Sequence, residues 1–473
     1  MSNGIASIPL TISPGAPARP VAPRTKMLLE APILPTLLRL SAPNVLNLLA
    51  IVGMVTFDAI FVGRLGPEAL AGVSLVFPWV MFMQHAAASG MGGGVSSAIA
   101  RALGSGQRDL ANALASHALA LAVILAAITS AFMLLCGPAL YQLMGGQGAV
   151  LAVALAYSNV VFSGVFAIWA LNILANVVRG TGNMEFPAYV MIGCVLAHVV
   201  LSPMLIFGWG PLPALGPAGP GWGLIVSFGV GSIVLIAYLR TSTSLVALGL
   251  RGITVQWKLF SEILKVGVPG MLNVGITNLS VVILTGIAVH LGQETAIGYA
   301  MGARLEYILI PLAFGFGTAI VSMVGTNLGA KQFQRARQAA WTGGVTVALA
   351  CGSIGMLFAL FPQAWMGLFS EDQEVVRAGC LYLRIVGPIY AFYGLGMALY
   401  FATQGLGRVQ ATVAANGVRL AVSACGGALA VFWLGSGPGG FFMAIAAGFL
   451  VYAGLTAYAL LRLLSPAKAV SKP

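Results

Sequence analysis

"LGPEALAG" (65–72) and "LGQETAIG" (291–298) are one phrase written twice, 226 positions apart. The same interval separates "APNVLN" (42–47) from "VPGMLN" (268–273), pairing Pro43 with Pro269 and Asn47 with Asn273. After one gap, "LGSGQ" (103–107) meets "LGAKQ" (328–332) and "RGTGN" (179–183) meets "QGLGR" (404–408), both at 225. Four matches at nearly one offset mark an internal duplication, the first thing to settle in any fold assignment.

The repeated material is intensely apolar. Charged residues make up 7% of the 473 residues, and 59% are hydrophobic. Soluble chains carry about 25% charge, and mean hydropathy here is +0.96, so the chain is an integral membrane protein. A spanning helix needs about 20 apolar residues. Apolar runs between charged or Gly/Pro breaks give twelve such segments, from 34–62 to 440–463. The expected architecture is all-α, with twelve transmembrane helices in two six-helix lobes, 33–240 and 259–464. Because six is even, both halves cross the bilayer in the same sense, related by a pseudo-two-fold axis along the membrane normal, as in parallel-repeat transporters. Residues 1–32 and 465–473 read as cytoplasmic tails, the first disordered, and 241–258 as a cytoplasmic linker.

Twelve spans put both termini on one side. That side collects eighteen Lys and Arg, whereas the other has only Arg64 and Arg377. Positive charge favours the cytoplasmic side, so both termini are expected there. The net charge of +12 is then a topology signal spread over short loops, not a nucleic-acid footprint. Five scattered cysteines with no C-x-x-C pair give neither a disulfide framework nor a metal site. No H-E-x-x-H, Walker A or G-x-S-x-G signature is present, which argues against an enzyme.

Against this background Asp58 stands out, alone in the otherwise uncharged run 45–63. A charge at bilayer depth costs roughly 2.5–3.5 kcal/mol on insertion scales, and such residues usually face a bundle interior or a wet cavity. Its repeat partner is Leu284, so the halves share a scaffold but not this carboxylate. A structural carboxylate, or one at the outer interface, is the plainer alternative.

Several strings resemble the multidrug and toxic compound extrusion (MATE) transporters. They are "DAIFVGRLG" (58–66), "LVFPWV" (75–80), "RGTGN" (179–183), "SPMLIFG" (202–208) and the long "ARLEYILIPLAFGFGTAIVSMVGTNLGAKQ" (303–332). The resemblance covers nearly everything after residue 33. It implies a two-lobed fold that exports small organic, often cationic, compounds against inward H⁺ or Na⁺. It further implies a multi-pass protein of the bacterial cytoplasmic membrane, acting as a monomer with no cofactor beyond the coupling ion. The aspartate matching Asp58 takes part in cation coupling in that family. The chain departs from the family where Asn-x-x-x-Asp commonly precedes the "P-x-L-I-F-G" string: His198 and Ser202 stand there instead. Losing an amide and a carboxylate oxygen weakens a Na⁺ site, while histidine titrates near neutral pH. The expectation is therefore proton coupling through Asp58, His198 and Ser202, the last two on one helix face.

Other polar residues carry two readings each. Glu306, the one carboxylate deep in the second half, either binds a cation or gates, or else forms a structural ion pair with Arg384 or Arg419. Asn44, Asn47, Asn172 and Asn176 are expected to line a cavity in the first lobe. The repeat-matched Asn47 and Asn273 equally fit a structural role common to both halves. The rival functions are a flippase for lipid-linked sugars, kept alive by Arg304, Arg384 and Arg419, and a membrane-embedded enzyme, which the dispersed polar residues disfavour.

Overall fold

The computed structural model describes residues 22–209, 213–249 and 255–464. All regular elements among them are helical. Eleven helices are long and apolar enough to span a membrane, and a bent pair supplies a twelfth. In chain order the first lobe comprises α1 (Ile33–Gly63), α2 (Pro67–Gly104), α3 (Arg108–Leu143), α4 (Gly148–Ser163 with Phe166–Gly180, bent by 47°), α5 (Glu185–Phe207) and α6 (Gly216–Leu239). The second comprises α7 (Trp257–Val289), α8 (Gln293–Gly329), α9 (Phe333–Leu360), α10 (Gln373–Gly405), α11 (Gln410–Trp433) and α12 (Gly437–Leu463). Two apolar cores broadly follow the lobes, with Leu259, Phe260 and Ile263 of α7 joining the first and Leu37 and Leu40 of α1 joining the second.

The duplication governs the backbone down to its turns. Gly66 (φ 116°) and Gly292 (φ 110°) occupy equivalent left-handed positions, as do Gly182 (φ 82°) and Gly407 (φ 74°). The third such pair is Gly106 (φ 76°) and Lys331 (φ 60°); there the second half holds in a strained region a residue that glycine occupies freely. Pro43 and Pro269 lie inside α1 and α7, where each removes a helix hydrogen bond. The glycine-rich stretch 89–97 serves close packing: a side chain at Gly94 would meet Ile263 O of α7 at 2.6 Å.

Two expected boundaries change. Within the region read as a disordered tail, Pro23–Glu30 forms a helix that buries Thr25 and Leu28. Asn327 Nδ2 donates to Leu28 O at 3.1 Å, and Leu28 belongs to the second lobe's core. An apolar contact to a distant helix, invisible in local composition, orders this segment. The linker also ends earlier than expected, because α7 begins at Trp257. Residues 1–21, 250–254 and the tail 465–473 lie outside the described residues.

The lobes meet at the end of the bundle that carries both termini. A Cβ on Gly104 would come within 2.1 Å of Thr326 O, and one on Gly329 within 2.2 Å of Arg101 O. Arg101 also faces Glu262 across the boundary at 3.7 Å. Midway along α2, His85 is exposed although Phe314 of α8 stands only 6.2 Å away, ring to ring. Such a residue lies at the floor of a cleft. The hydrogen bonds joining the lobes lie on the terminal side of it, so the cleft is sealed towards the termini and opens away from them.

Candidate functional site

Asp58 lies in the last third of α1, beyond Pro43, and points at α5. His198 and Ser202, one turn apart, present both their polar groups to it. The ring Nε2 of His198 is 2.9 and 2.8 Å from the two carboxylate oxygens. Ser202 Oγ donates to Oδ1 at 2.7 Å. The His198 side chain is 1% exposed and that of Asp58 22%, so the carboxylate forms the accessible face of a buried cluster. A carboxylate accepts, so Nε2 carries a proton. Nδ1 is buried with no hydrogen-bond partner, which favours the neutral Nε2–H tautomer, because an added Nδ1–H would be a buried unmet donor. Gly223 makes room on α6: a side chain there would meet Nδ1 at 3.4 Å.

Among the described residues no three His, Cys, Asp or Glu gather as a metal site. Every group facing Asp58 in these contacts is a donor aimed at the carboxylate. A Na⁺ ion wants several oxygen lone pairs, and here the ring supplies none.

Glu306 stands at the start of the inner segment of α8, where the helix breaks after Ala303. Its hydrogen-bond partners are tyrosines: Tyr382 OH donates at 3.1 Å and Tyr390 OH at 3.4 Å to the same oxygen. The anticipated pairing with Arg384 or Arg419 does not form at ion-pair distance. Arg419 donates instead to Asn416 Oδ1 at 2.7 Å and Ser280 Oγ at 2.9 Å, and lies over Phe449. Arg304 lies over Phe369. Arg304 and Arg419 are therefore not turned onto one common partner.

The asparagines expected to line a cavity each find a protein partner. Asn44 Nδ2 reaches Thr318 Oγ1 of the other lobe at 2.9 Å. Asn47 contacts Met191 Sδ at 3.6 Å. Asn172 and Asn176 bond to backbone carbonyls, Asn176 also to Ala88 O on α2 at 2.9 Å. Asn273 belongs to the second lobe and accepts from Asn416 at 2.9 Å. Asn47 with Met191 and Asn273 with Asn416 are the same α1–α5 and α7–α11 contact in the two halves, as expected of a shared structural role. Tyr382, Thr318 and the seam residues Ser97 and Ser322 escaped the sequence reading. The repeat offset would have found the serines, whereas nothing in the sequence ties Tyr382 to Glu306.

The MatE family model matches residues 43–204 and again 269–429, two copies whose starts are 226 positions apart. A protein named "FAD transporter" from Shewanella oneidensis is 29% identical over 381 residues, covering 80% of this chain and 82% of that protein. A "Probable multidrug resistance protein NorM" from Thermotoga maritima is 27% identical, covering 78% of this chain and 80% of that one. Among solved structures, an outward-facing multidrug resistance MATE transporter superposes with a TM-score of 0.85 at 25% identity, over 95% of this chain and 99% of that one. With the duplicated six-helix lobes, the sealed terminal side and both halves matched by one family model, the chain belongs to the MatE family of membrane transporters.

Proposed function

We propose that this chain exports small organic compounds in exchange for protons, by alternating access between its two lobes. The observation that supports proton rather than Na⁺ coupling is the Asp58 cluster, in which an imidazole N–H and a hydroxyl replace oxygen ligands. In the proposed cycle the open side of the cleft is the outer face of a bacterial cytoplasmic membrane, with both termini inside. A proton entering from that side neutralises Asp58, loosens its hold on His198 and Ser202, and lets the first lobe repack as cargo leaves. One chain contains both lobes, so a monomer suffices.

The test uses purified protein in liposomes loaded with a fluorescent cationic dye. A pH gradient and a Na⁺ gradient are imposed separately on wild type and Asp58→Asn. Dye movement that follows the pH gradient and disappears in the variant is expected; movement that follows only Na⁺ would sink proton coupling while leaving export intact. Flavin adenine dinucleotide, the cargo in the Shewanella relative's name, is run in parallel. Movement of that dinucleotide without the dye would move the cargo class from cations to anions.

A further inference from the structure

On the terminal side of the first lobe, away from Asp58, a cavity of about 470 Å³ is walled by four separate segments. Arg24 comes from the N-terminal helix, Phe186 and Tyr189 from the start of α5, Tyr238 from the end of α6, and Thr243 from the linker. Its floor is built: Phe186 and Tyr238 stack with centroids 4.0 Å apart. Asn183 fixes both, donating to Tyr238 OH at 3.0 Å and accepting from Phe186 N at 3.2 Å.

The two rims differ in chemistry. Tyr189 is 65% exposed and continues along α5 into Leu196 (63%) and Val200 (59%). That spacing of seven and then four residues is one helical stripe, and on a spanning helix an exposed apolar stripe faces lipid. Tyrosine belongs at its headgroup end. The opposite rim is cationic. Glu185 also lines the cavity, but it is paired with Arg39 at 3.6 Å, and Lys26 faces Glu30 at 3.8 Å. Arg24 has no carboxylate within ion-pair distance among the described residues. A cavity with one wall in the bilayer and a spare guanidinium on the other fits an amphiphile with a negative head. Basic pockets at the cytoplasmic ends of spanning helices take such headgroups.

We infer that this cavity binds the headgroup of one anionic phospholipid, its phosphate at Arg24 and its acyl chains running along Tyr189, Leu196 and Val200. The site touches both chain segments that join the lobes. The N-terminal helix reaches α8 through Leu28 O and Asn327, and the linker leads into α7. A lipid there therefore steadies connections made when the terminal side is closed.

The experiment measures lipid retention and needs no transport activity. Protein in nanodiscs of mixed phosphatidylglycerol and phosphatidylcholine is released in the mass spectrometer at rising collision energy, for wild type, Arg24→Gln and Tyr189→Ser. Wild type should keep a phosphatidylglycerol after other lipids are stripped. Arg24→Gln should retain about five-fold less, the worth of one surface cation near an anionic headgroup, and Tyr189→Ser should also retain less. Equal retention by wild type and Arg24→Gln would overturn the site, as would equal retention of the two lipids by wild type. Displacement of phosphatidylglycerol by millimolar inorganic phosphate would reassign the cavity to a free phosphate. Thermal unfolding of each variant in phosphatidylcholine alone checks that it folds, since Arg24 and Tyr189 are both exposed.

Discussion

Ser97 and Ser322 make the same hydrogen bond in opposite directions across the lobe boundary. Ser97 Oγ donates to Gln404 O, and Ser322 Oγ donates to Arg179 O at 2.9 Å. Donors and acceptors are both related by the repeat interval of 225. Each bond joins α2 or α8 to the end of the helix that closes the opposite lobe's fourth span, so the pseudo-two-fold axis runs through the seal.

If that seal holds the cleft shut on the terminal side, weakening it shifts the balance between open states. A buried hydrogen bond contributes about 1 kcal/mol net, roughly a five-fold change in a two-state ratio. Ser97→Ala and Ser322→Ala are each expected to raise amide hydrogen exchange at 98–106 and 323–331, with the double variant more affected. Unchanged exchange in both segments would mean that the seal rests on the glycine contacts and the remaining cross-boundary bonds.

The glycines set a harder limit. With backbone oxygens 2.1 and 2.2 Å from the would-be Cβ atoms, no rotamer relieves Gly104→Ala or Gly329→Ala. The helices must separate there. Either variant should lengthen spin-label distances between the terminal ends of α2 and α8 and lower transport, with no new contact at Asp58. A wild-type distance distribution would show that the seam has slack the packing does not reveal.

His198 and Asp58 separate by role. His198→Gln keeps an N–H able to reach the carboxylate but removes the imidazole. Gradient-driven transport should fall in His198→Gln and disappear in Asp58→Asn. If His198→Gln transported at the wild-type rate, the ring would only be positioning Asp58.

Half-buried Glu306 and its two buried tyrosines form one polar unit, and such units couple more strongly than the sum of their parts. Tyr382→Phe and Tyr390→Phe should each lower the unfolding midpoint, and in Glu306→Gln the further loss from either should shrink. Additive losses would place the tyrosines outside the carboxylate's network.

Much of this was legible in the sequence because it is periodic or duplicated. Spans follow from length and hydropathy, lobes from the 225–226 interval, and the His198–Ser202 pairing from a one-turn spacing. What escaped depends on packing between distant segments. Tyr382 meets Glu306 across 76 positions, and the helix Pro23–Glu30 owes its order to Leu28 in the other lobe's core. The partners of the asparagines were illegible for the same reason: polarity in an apolar helix marks a partner, but not whether that partner is cargo, backbone or a neighbouring helix.

The linker supplies the last case, since α3 holds it almost wholly by its backbone. Arg108 Nε donates to Leu245 O at 2.7 Å, Asn112 Oδ1 accepts from Ala247 N at 2.8 Å, and Ser116 Oγ accepts from Gly249 N at 3.2 Å. These three residues lie four apart, on one face of the helix. His117, one position on, adds a fourth contact. Its Nε2 lies 3.1 Å from Gln256 N and its Nδ1 2.8 Å from Ala113 O. A backbone N–H can only donate, so Nε2 accepts and Nδ1 carries the proton. The ring also stands edge-on to Phe260 of α7, 5.0 Å away. His117→Phe keeps the ring contact but withdraws the acceptor from Gln256 N, a loss of about 0.5–1.5 kcal/mol for one hydrogen bond. The expected result is faster amide exchange at Gln256 and at the following first turn of α7, with transport retained. Protection equal to wild type would show that the other three anchors alone hold the linker to the first lobe.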